Sequence, residues 1–337
     1  MPITIVNSLP EAEWRRFVEK HPHGNIFHTP EMFQAFARVP RHQPMLWAAV
    51  DQDDRLLALL LLVQITLMNG LLRRFTTRAI SYGGVLCAPT PEGRDALAQL
   101  LCACARDAKG SVLFTELRNA SDLSDIQPVL EQCGFVYEDH LNYLVDLNRS
   151  VEDIFNGIER WTRKRIRRGL RHQEVAIEEA TDRCGIKACY DLIRKSYTLA
   201  RVPVADLSLF EAAFDILHPR GMVKYWLARV GNAYVASSVE LLYRDVVYGW
   251  YGGVDRAYAA FRPGELLTWH LLKWGAENGY KTYDFGGAGK PNEKYGVRDF
   301  KAKFGGSLVC YGRNVSVHRP QLLRLSRWAY QLYRRWL

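Results

Sequence analysis

The chain has 337 residues, of which 48% are hydrophobic and 24% are charged, and Lys and Arg total 45 against 36 Asp and Glu. This composition is typical of a globular protein with a sizeable core, the length predicts about two domains, and no apolar run reaches the roughly 18 residues that a membrane-spanning helix needs. The formal net charge of +9 indicates an anionic partner, such as nucleic acid, a phosphorylated substrate or an anionic membrane, without choosing among them.

The cysteines, the histidines and the N-terminus exclude several classes of protein. The seven cysteines are scattered, and neither they nor the nine histidines have the spacing of metal ligands. We therefore predict reduced cysteines and no metal site. The sequence starts without the charged segment and apolar run of a signal peptide, which predicts a cytoplasmic protein.

The first half of the chain predicts two short helices, a strand pair, a third strand and a helix–strand unit. The helices fall at 11–20 and 30–38, and the strands at 44–50, 56–67 and 79–85. Residues 92–108 have helical spacing, with Leu97, Leu100 and Leu101 on one face. A strand at 111–117 and a helix at 125–133 follow.

The second half repeats this order of elements. A strand pair at 222–230 and 233–242 precedes a strand at 245–254, a helix at 263–278 and a strand at 281–285. Tyr-Gly-Gly-Val occurs at both 82–85 and 251–254. Each copy precedes a helix and then a strand with an acid near its end, Glu116 or Asp284. A duplicated α/β unit explains this order, with two similar domains that meet near residue 148.

A basic helix is predicted between the two halves, at 151–171. Its second part, 160–171, contains seven basic residues and no acid. Arg160, Lys164, Arg168 and Arg171 recur at helical spacing, which places them along one side. A run this dense repels itself, so we favour an anionic partner over a merely solvated face.

Two glycine-containing segments in the last quarter of the chain are typical of a functional site. Tyr283 and Asp284 stand at the end of a strand that continues as Phe-Gly-Gly, and Phe300 and Lys301 begin the segment Phe-Lys-Ala-Lys-Phe-Gly-Gly. Glycine lets the backbone approach a ligand closely, beside a carboxylate and an amine. The alternative is two strands joined by a flexible loop, with solvated lysines or a lysine paired to Asp284 or Asp299.

Two further segments indicate contacts with anions. Arg262, Pro263 and Gly264 precede a helix, and such a start leaves backbone N–H groups open to a phosphate. The segment 319–337 is basic, aromatic and amphipathic. It could lie on an anionic membrane at the inner face, or pack on the second domain with its arginines in water, which we favour.

With these segments in view, the sequence resembles the FemABX family of aminoacyl-tRNA-dependent peptidyltransferases along essentially the whole chain. The resemblance rests on residues 25–31, 162–165 and 283–287, and most specifically on Phe-Lys-x-x-Phe-Gly at 300–305. It implies an α/β (α+β) fold of two tandem GNAT-like acyltransferase domains, at 1–148 and 149–318, each a mixed central sheet flanked by helices, with the amphipathic helix at 319–337. The long coiled-coil arm of some members is missing, and the first helical region has Phe33 and Arg38 where the family has a lysine.

The resemblance also implies an activity without a cofactor: transfer of an amino acid from aminoacyl-tRNA to an amine in the stem peptide of a phosphorylated or lipid-linked peptidoglycan precursor. The family's catalytic Phe-Lys pair falls on Phe300 and Lys301. Lys301 would stabilise the oxyanion of the reaction, and Asp284 is a candidate base. The residues expected to bind substrate are Arg163, Arg165 and Arg167 at the precursor's phosphates, and Tyr283, Arg262 and Gly264.

Two other interpretations remain open. An acyl-CoA-dependent N-acyltransferase acting on a cell-surface polysaccharide or a small amine would use the same fold, with Arg262 and Gly264 at the pyrophosphate. A non-enzymatic protein that binds nucleic acid or membranes is supported by charge alone.

Overall fold

The chain folds into two compact units, described by a computed structural model that covers residues 2–68 and 70–335. Unit 1 consists of Met1–Asp139 and Tyr311–Leu337, and unit 2 of His140–Cys310. Among the described residues, no helix combines the length and the apolarity needed to cross a bilayer.

The first segment of unit 1 follows the predicted order of elements closely. Its helices α2 and α3 each begin with a threonine whose side chain accepts a hydrogen bond from the first turn, followed directly by proline, which is a strong helix-start signal. The elements are β1 (Thr4–Val6), α1 (Glu11–Lys20), α2 (Pro30–Ala37), β2 (His42–Val50), β3 (Leu56–Thr66), β4 (Thr77–Ser81), β5 (Leu86–Cys87), α3 (Pro91–Ala108), β6 (Phe114–Arg118), α4 (Gln127–Gln132) and β7 (Val136–Glu138).

Unit 2 contains the remaining strands and helices up to residue 310. The helix predicted at 151–171 is two helices, because Ile158 and Glu159 adopt extended backbone angles between them. The elements are β8 (Leu141–Asp146), α5 (Val151–Gly157), α6 (Arg160–His172), β9 (Val175–Glu179), α7 (Arg183–Leu199), α8 (Leu207–Leu217), β10 (Val223–Val230), β11 (Ala233–Tyr243), β12 (Val246–Val254), α9 (Pro263–Glu277), β13 (Thr282–Gly287), α10 (Gly296–Ala302) and β14 (Ser307–Cys310).

The C-terminal segment returns to unit 1. It forms β15 (Arg313–Val317) and α11 (Pro320–Arg335), and the last two residues of the helix predicted at 319–337 lie outside the described part of the chain. In α11, Leu323 is buried and the Ser326 hydroxyl donates a hydrogen bond to the Phe75 carbonyl at 2.7 Å. This helix therefore packs on unit 1, not on the second domain as the sequence led us to expect.

Each unit contains one mixed sheet, and the two sheets have the same strand order. The order is β1-β2-β3-β4-β6-β15-β7 in unit 1, with β5 paired to β3, and β9-β10-β11-β12-β13-β8-β14 in unit 2. One described pair in each sheet is parallel, β4 with β6 and β12 with β13. In both pairs the second strand contributes an acid: Glu116 lies opposite Ile80, and Asp284 lies opposite Tyr248. These matches agree with the predicted duplication.

The sixth strand of each sheet comes from the other half of the repeat. Strand β8 follows β7 in the chain but pairs with β13 and β14, and β15 follows β14 but pairs with β6 and β7. The predicted boundaries at 148 and 318 differ from the structural division in these two strands. Neighbouring strands in a sequence suggest a hairpin, and nothing in their side-chain pattern reveals that they pair in different sheets.

Helices cover both faces of the sheet in unit 2. On one face α9 packs with α5 and α6, and Ile158, Ile166 and Leu266 contribute to the core there. On the other face α7 lies so close to β12 that a Cβ on Gly253 would come within 2.5 Å of the Leu192 backbone. The sheet is therefore held between two helical layers, and its strand ends are the places left for a site.

Candidate active site

The candidate site lies where two parallel strands of unit 2 part. Strands β12 and β13 pair at Val246–Tyr248 and Thr282–Asp284, and no further described pair joins them, although β12 runs on to Val254 and β13 to Gly287. On its other side β12 pairs with β11 through a register shift between Val239 and Glu240. Beyond Tyr248 the backbone N–H and C=O groups on that side of β12 no longer pair with β13, so they are the groups open to a ligand.

Asp284 is the last residue of β13 that pairs with β12, and it is buried. Its Oδ1 accepts a hydrogen bond from the Gly286 N–H at 2.7 Å. Burial raises the pKa of Asp284 to about 6, and the Gly286 N–H, the Lys301 charge and the Asn142 side chain partly oppose that rise. A carboxyl with this pKa is mostly ionised near neutral pH and is more basic than an ordinary aspartate.

Lys301 lies in helix α10 and is also buried, so the alternative of a solvated lysine on a strand is wrong. Its ammonium donates three hydrogen bonds to the end of β13, at 2.6 Å to the Phe285 carbonyl, 3.2 Å to that of Gly286 and 2.8 Å to that of Gly287. Gly286 has a φ of +68°, which lets consecutive carbonyls turn to one side. Burial lowers the pKa of Lys301 to about 8, and Asp284 opposes the shift.

Phe300 connects this lysine to the start of helix α9. Its ring packs on Phe304 with centroids 5.2 Å apart, and a Cβ on Gly264 would lie 4.0 Å from the Phe300 Cζ. Arg262 adopts a left-handed conformation immediately before α9, and its side chain is exposed. The structure therefore brings four predicted site residues of unit 2 together: Arg262, Gly264, Phe300 and Lys301.

The three arginines expected at the precursor's phosphates have different surroundings on α6. Arg165 forms an ion pair with the buried carboxylate of Glu265 in the first turn of α9, at 2.9 Å from Nε to Oε2. Arg163 donates to the Asn156 carbonyl at 2.6 Å. The Arg167 guanidinium is exposed and lies over the Phe155 ring at 5.1 Å.

The exposed positive charges of α6 lie along one side of the helix. They belong to Arg160, Lys164, Arg167, Arg168 and Arg171, and we call them the α6 cations. Trp161 is 57% exposed between two of them, with the Lys164 Nζ 5.4 Å and the Arg160 Cζ 5.8 Å from its ring centroid. The opposite side packs on α9 through Thr162 and Ile166, which are fully buried. Arg165 is thus part of the packing, whereas the α6 cations face solvent.

Tyr283 and Glu240 form a buried pair that was not predicted from the sequence. Tyr283, expected to bind substrate, lies in the core with its hydroxyl beside the carboxyl of Glu240, and burial raises its pKa well above 10. Burial raises the pKa of Glu240 to about 7, with the Ser238 and Tyr283 hydroxyls opposing. The available signal was an acid at an inward position of the apolar strand at 233–242.

Asn142 was missed as well, because nothing in the sequence shows that β8 lies next to β13. Its side chain hydrogen-bonds Asp284. Within residues 2–68 and 70–335, no three His, Cys, Asp or Glu side chains are grouped as a metal ion would require. The arrangement can accept a proton at Asp284 and hold a positive charge at Lys301, as transfer of an acyl group to an amine requires.

Comparisons with known proteins agree with this chemistry. The family model of the acetyltransferase (GNAT) domain matches residues 158–301. The chain is 20% identical over 233 residues to the lipid II:glycine glycyltransferase of Staphylococcus haemolyticus (strain JCSC1435), over 49% of this chain and 55% of that protein. The chain thus spans about half the length of this relative.

Two solved structures share the fold. The crystal structure of FemX has a TM-score of 0.73 at 17% identity and covers 96% of this chain and 99% of its own. A tandem GNAT protein from the clavulanic acid biosynthesis pathway has a TM-score of 0.62 at 12% identity, over 94% and 99%. The predicted resemblance to the FemABX family and the predicted tandem GNAT-like fold are confirmed.

Proposed function

We propose that this FemABX-like acyltransferase moves an amino acid from aminoacyl-tRNA to an amine in the stem peptide of a lipid-linked peptidoglycan precursor. The observation that carries the proposal is the buried pair of Lys301 and Asp284 where β12 and β13 part. The lipid II:glycine glycyltransferase that the chain resembles supports this class of acceptor. The reaction needs no cofactor, because the ester bond of the charged tRNA already activates the amino acid.

The proposed reaction forms an amide and breaks an ester. The acceptor nitrogen attacks the acyl carbon, the C–O bond to the terminal ribose of the tRNA breaks, and the ribose hydroxyl leaves. Asp284, ionised at neutral pH with its pKa of about 6, takes the proton that the amine loses, and the leaving oxygen gains one. The net transfer of protons is zero, so Asp284 returns to its starting state.

Lys301 supplies the positive charge for the oxyanion that develops on the acyl oxygen. Its ammonium is held near the strand end by three carbonyl oxygens, and the bond to Gly286, at 3.2 Å, is the longest of them. Exchange of this bond for the oxyanion would bring charge to the acyl group with little movement. A fixed, desolvated donor of this kind stabilises a transition state more than a solvated one.

The first turn of α9 favours the tRNA donor over acyl-CoA. In the acyl-CoA interpretation, Arg262 and Gly264 would hold a pyrophosphate at this helix start. The Glu265 carboxylate already occupies that first turn, where it counters the helix dipole, and its ion pair uses Arg165. A pyrophosphate would therefore find an acid in place of an open helix end.

The α6 cations offer the complementary surface for a polyanion. Five positive charges lie on one helix side, and Trp161 beside them has a face on which a base can stack. We therefore assign the tRNA backbone to the α6 cations. Of the three arginines predicted at the precursor's phosphates, Arg167 is the one that belongs to this set.

The test is transfer of label from a mixture of radiolabelled aminoacyl-tRNAs to a lipid-linked precursor. We expect labelled precursor with the wild type and none with Lys301→Ala. Label transferred from acyl-CoA, and from no charged tRNA, would replace the donor with acyl-CoA. No transfer from either donor would contradict the proposed acceptor.

A second experiment tests the α6 cations by tRNA binding at several salt concentrations. Arg160→Gln/Lys164→Gln/Arg168→Gln should weaken binding and reduce the slope of log K against log salt by about 2 to 3, since each phosphate contact adds about 0.7 to 0.9. The matched control is Arg16→Gln/Lys20→Gln, which removes exposed charges from α1. An unchanged slope in the triple variant would show that these cations are only solvated.

A further inference from the structure

Unit 1 presents a second basic surface, formed by two segments distant in sequence. One segment is the connection between β3 and β4, which contains a 3₁₀ helix at Gly70–Phe75, and the other is α11. The Ser326 hydroxyl joins them by its hydrogen bond to the Phe75 carbonyl. The α11 surface is defined here as the exposed side chains of Leu67, Met68, Leu72, Arg73, Arg74, Arg324, Leu325, Arg327 and Trp328.

Large apolar side chains are exposed on both segments. Leu325 and Trp328 lie three residues apart on α11 and so share one side of the helix, and Trp328 is 59% exposed. The other segment adds Leu67, Met68 and Leu72, all exposed. Apolar side chains that recur on two joined segments are a feature of interaction surfaces, whereas single exposed ones are ordinary.

The charges on this surface have one sign. Arg73 and Arg74 on the first segment and Arg324 and Arg327 on α11 are all exposed. The sequence contains no acid between Asp54 and Glu92, and none after Asp299. Two copies of this chain would bring like charges together here, which disfavours self-association.

We propose that the α11 surface docks the protein on an anionic lipid bilayer. Arginines beside leucines and a tryptophan match the two layers of a membrane interface, phosphate headgroups outside and acyl chains beneath. The proposal is independent of the transfer reaction. For an enzyme that acts on lipid-linked precursors, docking would hold the protein on the membrane surface that carries the acceptor.

The test is co-sedimentation of the whole protein with vesicles of zwitterionic phosphatidylcholine, alone or mixed with anionic phosphatidylglycerol. We expect binding only to the mixed vesicles, weakening with salt. Arg324→Gln/Arg327→Gln should weaken it about 25-fold, at about fivefold for each arginine near an anionic surface. Trp328→Ser should weaken it at least about tenfold through lost apolar burial.

The chain offers a matched control in the other unit. Trp161 is exposed to the same degree as Trp328, 57% against 59%, and also stands among cations. Trp161→Ser should bind vesicles like the wild type. Binding lost with Trp161→Ser and kept with Trp328→Ser would overturn the assignment, as would equal binding to both vesicle types.

Sedimentation velocity without lipid tests the other occupant of the α11 surface, a second copy of the chain. Self-association that depends on Trp328, with no vesicle binding, would make the α11 surface a contact between copies and contradict the lipid proposal. Because the vesicles contain no precursor, vesicle binding does not depend on the transfer assay, and failure of one proposal leaves the other testable.

Discussion

Replacing Lys301 by methionine separates the proposed catalytic role of this residue from its structural one. Burial lowers the pKa of Lys301 from 10.5 to about 8, a penalty of about 3 kcal/mol for the charged form that the variant no longer bears. Against this gain, the carbonyls of Phe285, Gly286 and Gly287 lose their donor, at about 1 kcal/mol each. The two effects nearly cancel, so we expect the free energy of unfolding to change by less than about 2 kcal/mol.

The rate of transfer should fall far more than the stability. Loss of one charged donor to an oxyanion typically reduces the rate about 10²- to 10³-fold. The Lys301 charge also lowers the pKa of Asp284, so in the variant that pKa should rise further above about 6. The remaining activity should therefore appear only at higher pH than in the wild type.

The assay combines urea unfolding with single-turnover transfer from charged tRNA across a range of pH. Lys303→Met is the matched control, since it removes a lysine two residues away that is not buried. A Lys301→Met protein that is folded and transfers within a few-fold of the wild type would refute the catalytic role. A loss of stability well above about 2 kcal/mol would refute the balance between burial and hydrogen bonding.

Three further variants test the packing around the site by urea unfolding. Burial raises the pKa of Glu240 from 4.5 to about 7. The stability that the neutral carboxyl contributes is therefore complete below pH 4.5 and is lost as the pH rises through 7. Glu240→Gln should be about 3 kcal/mol more stable than the wild type at pH 8 and equal to it at pH 4. Arg165→Met should cost about 2 kcal/mol by leaving Glu265 unpaired, and adding Glu265→Gln should recover most of it. Gly253→Ala should destabilise by about 2 kcal/mol or more, because its Cβ would overlap the Leu192 backbone. An unchanged midpoint in Arg165→Met or Gly253→Ala, or in Glu240→Gln at pH 8, would contradict the corresponding contact.

The sequence predicted the duplicated unit because its signals are local. The two Tyr-Gly-Gly-Val copies, the proline-marked helix starts and the acids Glu116 and Asp284 all lie within single elements or next to them. Lys301 and Asp284 could be linked for the same reason, because they lie in one short stretch of sequence and the glycines that follow Asp284 precede Lys301. The order of elements along the chain then predicted two sheets of one kind.

What the sequence could not predict depends on contacts between distant residues. Seven basic residues in 160–171 look alike, and only the structure shows that Arg165 is bound to Glu265, 100 residues away. Glu240 lies among apolar residues whose pattern indicates a plain strand. Tyr283 has the side chain of a binding residue, but strand alternation and the α9 layer place it in the core.

Because β8 pairs in the second sheet and β15 in the first, each half of the repeat needs a strand from the other half to complete its sheet. As the chain leaves the ribosome, β6 has an unpaired edge and β7 has no partner until residues 313–317 are synthesised. Such late, non-local pairing slows folding and leaves an edge open to aggregation in the meantime. A fragment cut at the repeat boundary near 148 would keep that open edge permanently, so the boundary of the duplication is not a boundary at which the protein can be divided.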